Sequence, residues 1–128
     1  MSRTVYVNGE YLPETEAKVS IFDRGFLMAD AVYEVTAVLA AKLIDFDGHI
    51  VRLQRSLDEL EINNPHTREG WLNIHRELVR TNDLVDGGIY LQISRGAPND
   101  RDFVWPDPEM TTPTVVLFTQ SKPGLANS

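Results

Sequence analysis

Apolar and polar residues alternate along "TVYVNGEYLP", with Asn8-Gly9 at its centre. Asn-Gly is the strongest two-residue signal for a type I′ turn, so the chain is expected to open as a short antiparallel hairpin. "AVYEVTAVLAAKLIDF" is β-branched and aromatic on both sides of Ala40-Ala41. It predicts a second hairpin with an atypical turn and a first arm from Val32 to Leu39. The period then changes. In "GHIVRLQRSLDELEI", Ile50, Leu53, Leu57 and Leu60 recur at helical spacing, which predicts an amphipathic helix capped by Asp47 and stopped at "NNP". Thr67 is placed to cap a second helix that carries Trp71, Ile74 and Leu78 on one face. "GGIYLQISRG" and "TPTVVLFTQS" read as two closing strands, joined by the Pro- and Asp-rich "APNDRDFVWPDPEMT". Strands, two helices, then strands predict an α+β domain with a mainly antiparallel sheet over residues 1–120. The last stretch, "SKPGLANS" at 121–128, has linker composition.

Composition narrows the function. A chain of 128 residues with 42% hydrophobic and 24% charged residues is a globular single-domain mix. The formal charge of −7 disfavours a broad nucleic-acid footprint, which needs surplus cations on one face. There is no Cys, and the three His lack a close i, i+4 pair, so neither thiol nor metal chemistry is indicated. No apolar run is long enough for a membrane span, and a cytoplasmic location is the expectation.

Ionisable residues interrupt the predicted core. "DRGFLMADAVYEV", Asp23 to Val35, carries Asp23, Arg24, Asp30 and Glu34 among large apolar residues. Strand alternation turns Val32, Glu34 and Thr36 to one side and Tyr33, Val35 and Ala37 to the other, so Tyr33 and Glu34 are not both solvent residues. Either Tyr33 is a core aromatic and Glu34 the partner of a nearby Arg, or both line a cleft. Arg52 stands early in the first helix, three residues after His49. It suits bidentate contact with an anion near a helix N-terminus, or else an ordinary solvated face shared with Asp58 or Glu59. Arg95 and Arg101 bracket a long connection that includes Phe103 and Trp105, and it reads equally as a substrate wall, a subunit contact or a surface loop.

Taken together, "DRGFLMADAVYEV", "GHIVRL" and "ISRGAPNDRDFVWP" resemble the N-terminal domain of the fold-type-IV pyridoxal-phosphate aminotransferases, most closely those acting on D-amino acids. The likeness runs from "VYVNGEYLP" to "TVVLFTQSKP". It implies that Arg52 binds the phosphate of pyridoxal 5′-phosphate, supported by Glu34 and His49. Tyr33 and Arg101 would orient substrate, Arg101 from across a homodimer interface. Asp23, Arg24 and Asp30 would fix the approach to the strand. Phe103 stands where the family usually has His, and Ala29 and Ala31 replace glycines that commonly flank Asp30.

The implied reaction is amino-group transfer between a D-amino acid and a 2-oxo acid, ping-pong through pyridoxamine phosphate. Same-fold alternatives are a branched-chain aminotransferase, an (R)-selective amine transaminase and an aminodeoxychorismate lyase. The family's Schiff-base lysine lies in a second domain beyond the linker, and none of Lys18, Lys42 and Lys122 matches it. The chain is therefore expected to be one domain of a larger enzyme, without a catalytic residue of its own and inactive alone. A complete, non-catalytic binding or dimerisation module is the reading of another class.

Overall fold

The structure, a computed structural model, describes residues 2–98 and 111–124. Strands β1 (Thr4–Val7) and β2 (Glu10–Pro13) form the opening hairpin, with Asn8 and Gly9 both at positive φ, as a type I′ turn requires. A 3-10 turn, Glu14–Glu16, and the short helix α1 (Arg24–Met28) lead into β3 (Ala31–Leu39). β3 turns through Ala40 and Ala41, at φ 51° and 62°, into the two-residue strand β4 (Lys42–Leu43). Helices α2 (Phe46–Leu60) and α3 (Arg68–Thr81) follow, then β5 (Gly87–Ser94) and β6 (Thr114–Ser121). The six strands lie in the order β2-β1-β6-β5-β3-β4, every neighbouring pair antiparallel, so the α+β expectation describes the molecule.

Both long helices pack on one face of the sheet. Leu53 and Leu57 of α2 and Trp71, Ile74 and Leu78 of α3 are buried against Tyr6, Val38, Ile89, Leu91, Ile93 and Leu117. Each fully buried side chain of this size contributes roughly 1.5–3 kcal/mol of hydrophobic stabilisation, so this interface holds the fold together. Thr67 caps α3 by accepting from the Gly70 amide, as its sequence position predicts. The start of α2 departs from expectation. Asp45, in the left-handed region, is the cap residue, and the helix begins at Phe46, whose ring is drawn into the core. Asp47 lies inside the first turn and accepts from Arg68 Nε at 2.6 Å.

The opposite face is covered less. Tyr33 stacks on Tyr90, and Tyr90 on Phe118, in a row that crosses β3, β5 and β6. Tyr33 and Val35 stay exposed there, and Phe26 of α1 lines a groove with Tyr90 and Phe118.

Candidate functional site

Alternation along β3 sends Glu34 under α2 and Tyr33 to the other face. From Ala31 to Thr36, the side of β3 turned away from β5 has no strand partner among the described residues. Helix α2 packs against β3, and the second turn of the helix brings His49 and Arg52 over Glu34. Arg52 donates through Nε to Glu34 Oε2 at 2.9 Å and through Nη2 to Oε1 at 2.8 Å. His49 Nδ1 lies 2.7 Å from Oε1, and since an ionised carboxylate only accepts, Nδ1 carries the hydrogen. The 3.4 Å approach of Arg52 Nη2 to that nitrogen is then a contact between two donors.

The electrostatics follow from this geometry. Burial by itself raises the Glu34 carboxyl, but hydrogen bonds from Arg52 and His49 outweigh it and hold the group below its ordinary range. Arg52 is raised in turn, first by its bonds to Glu34 and then by that charge. Glu34 is therefore a buried, ionised anchor, while the Arg52 side chain remains 56% exposed. One edge of the guanidinium is fixed and the other faces outward. That suits a phosphate group, because the fork is held before any ligand arrives. The helix terminus contributes less than its position suggests. A Cβ on Gly48 would meet Asp45 Oδ2 at 2.5 Å, so a carboxylate already sits against the first turn of α2.

A second charged cluster explains the other ionisable residues of the segment. Asp23 caps α1 by accepting from the Gly25 amide at 2.8 Å. Asp30 lies between Arg24 Nε at 2.6 Å and Arg95 Nε at 2.7 Å, and Arg95 also donates to the Leu60 carbonyl at 2.7 Å. Burial opposes the Asp30 charge, yet Arg95 and Arg24 lower its pKa overall. Arg95, read from sequence as one end of a loop, is thus 3% exposed and ties β5 to the C-terminus of α2. No local signal marks it, since Asp30 is 65 residues away in the chain.

Tyr33 is not a core aromatic. It is 65% exposed on the face opposite Glu34. The structure unites Glu34, His49 and Arg52, and places Tyr33 on the same stretch of β3. Arg101, Phe103 and Trp105 lie outside the described residues. Lys18, Lys42 and Lys122 are all exposed, and none contacts the Glu34 cluster.

Comparison with known proteins places this geometry in a family. The family model for amino-transferase class IV matches residues 31–128. The D-alanine aminotransferase of Staphylococcus haemolyticus is 37% identical over 118 residues, which cover 91% of this chain and 41% of that protein. A T.th. branched-chain amino acid aminotransferase with pyridoxamine 5′-phosphate superposes with a TM-score of 0.83 at 23% identity, covering 96% of this chain and 41% of that one. The 4-amino-4-deoxychorismate lyase of Pseudomonas aeruginosa superposes with a TM-score of 0.71 at 25% identity, over 94% and 40%. The chain thus spans about two fifths of the length of the relatives it matches. With a β3 sheet edge, a helix laid on it and a family match over most of the chain, this protein belongs to the class IV amino-transferases.

Proposed function

We propose that this chain is the N-terminal part, residues 1–120 with linker from 121, of a pyridoxal-phosphate-dependent aminotransferase that moves an amino group between a D-amino acid and a 2-oxo acid. The single observation that carries the reading is the Arg52 guanidinium, fixed on buried Glu34 and open on its outer side. Class IV membership implies the cofactor, and the fold shared with a structure holding pyridoxamine 5′-phosphate agrees with it. The 37% identity with a D-alanine aminotransferase favours D-amino acids.

In this reading Arg52 holds the cofactor phosphate through its outward edge, and Glu34 and His49 keep that edge in place. The bound cofactor would supply the electron sink for breaking the substrate Cα–H bond. Tyr33, exposed and stacked on Tyr90, presents its hydroxyl to a substrate carboxylate, and Arg101 joins it from a second copy of the chain in a homodimer. A second domain supplies the lysine, so the present chain alone does not turn over substrate. We place the enzyme in the cytosol on the strength of the family resemblance; among the described residues no helix is long and apolar enough to cross a membrane.

The test uses a protein that joins this chain to its second domain. Arg52→Ala is expected to weaken retention of pyridoxal phosphate on dialysis by roughly 10- to 100-fold, the range for a lost charge-assisted contact, with the dichroism spectrum unchanged. Retention equal to the parent would remove Arg52 from the phosphate site.

A further inference from the structure

We propose that the groove between the β3–β4 turn and α3 binds a small carboxylate that carries an apolar body. The groove, open to solvent along one side, has a volume of about 600 Å³, within the usual range for small-molecule sites of about 300–1,000 Å³. Its floor is apolar, formed by Leu43, Phe46, Leu72 and Val79, and its lining includes Lys42 and Arg76. None of these residues belongs to the Glu34, His49 and Arg52 cluster.

The lining charges divide into two kinds. Arg68 is engaged by Asp47 and Glu69 and lies over the Phe46 ring, and Arg80 is engaged by Glu77. These pairs use the nearby carboxylates. Lys42 and Arg76 are exposed and make no ion pair or hydrogen bond among the described residues. Four of the twelve Lys and Arg residues of a chain with net charge −7 therefore line one groove, two of them uncommitted. The chain as a whole is acidic, so a local group of cations suits a small anion rather than an extended polyanion. The apolar floor adds a second requirement. An anion without hydrocarbon would leave Leu43, Leu72 and Val79 against water, whereas an aliphatic carboxylate covers them and meets Lys42 or Arg76 with its head group.

The probe is 4-methylpentanoate, titrated into the ¹⁵N-labelled chain, with 4-methylpentan-1-ol and acetate as comparators. Saturable amide shifts are expected at Lys42, Leu43, Leu72 and Arg76, with a dissociation constant below about 5 mM, weakening several-fold in roughly 0.5 M salt. Arg76→Glu should weaken binding at least ~10-fold, and Lys42→Glu, exposed at the start of β4, gives the same reading should the first variant misfold. Absence of saturation, or shifts centred on His49 and Arg52, overturns the proposal. Equal binding of the alcohol or of acetate also overturns it, because then one of the two requirements is void. Shifts at these residues that follow protein concentration without ligand would assign the groove to a second copy of the chain, and the proposal fails.

Discussion

Arg95 and Asp30 form a buried ion pair that joins the start of β3 to the end of α2. Arg95 reaches Asp30 through Nε and Nη2, at 2.7 and 3.1 Å, and directs the remaining capacity of its guanidinium to the Leu60 and Glu61 carbonyls. The pair therefore caps α2 and holds it beside the strand that carries Glu34. With side chains 3% and 9% exposed, neither partner has water to replace the other. The same helix carries His49 and Arg52 onto Glu34.

Removing one partner leaves a buried charge. Asp30→Ala should destabilise the fold by about 3–5 kcal/mol, which urea denaturation of the parent and variant measures directly. A loss below about 1 kcal/mol would mean that Arg24 and Arg95 find solvent in the variant and that the pair does not hold α2.

Stability should fall with acidity in two stages. His75 is buried, with Nδ1 donating to the Trp71 carbonyl and its ring against Phe46. Burial is the main cause that lowers its pKa from 6.5 to about 4, opposed by the Trp71 carbonyl and assisted by His49. The unfolded chain then binds the proton first, so stability declines as pH drops from 6.5 towards 4, by roughly 3 kcal/mol in total. Asp30 and Glu34, both lowered, add a loss below their unfolded values of 3.8 and 4.5, as pH falls through their folded pKa values. His75→Phe should flatten the upper stage and leave the lower one. An unchanged slope across the upper stage would show that His75 does not carry it.

Arg52 is the main counterweight to the desolvation of Glu34. In Arg52→Ala the Glu34 carboxyl should titrate at higher pH than in the parent, because burial is then opposed by His49 alone. Carboxyl ¹³C resonances followed against pH give the comparison. An unmoved Glu34 would mean that His49 suffices.

The β3–β4 turn places Ala40 and Ala41 both in the left-handed region, where L residues with a Cβ are strained. Replacing them by Asn-Gly, the residues that this turn favours, should stabilise the fold by about 1 kcal/mol in a thermal melt. A neutral or destabilising result would indicate that the Ala40 and Ala41 amides, bonded to Asp86 and Val85, already offset the strain.

The uncovered sheet face should drive association of the chain. Phe26, Tyr33 and Val35 are 70%, 65% and 49% exposed, and Phe26 lines a groove with Tyr90 and Phe118 on that face, so apolar surface there is open to a partner. Sedimentation at micromolar concentration is expected to show dimers or larger species, and Phe26→Ser with Val35→Thr should reduce them. A parent chain that stays monomeric throughout would show that this patch tolerates water.

The elements are legible in the sequence because their causes are local. Asn8-Gly9 dictates its turn, the spacing of Ile50, Leu53, Leu57 and Leu60 dictates a helix face, and Thr67 caps α3 through a residue three positions away. The short α1 is not legible, since five residues give too little periodicity to separate a helical turn from the approach to a strand. The cap of α2 falls on Asp45 rather than Asp47 because burial of Phe46 decides where the helix starts. Partner choice lies beyond local reading. Sequence reading offers Arg52 the acidic residues Asp58 and Glu59 of its own helix, yet it bonds to Glu34, eighteen positions back. Only the seating of α2 on β3 decides between them, because a buried carboxylate needs a donor far more than an exposed one does. The sequence thus determined which segments become strands and helices and which residue types they carry. The packing of α2 against β3, secured by Arg95 on Asp30, determined which charges meet and which edge of Arg52 faces outward.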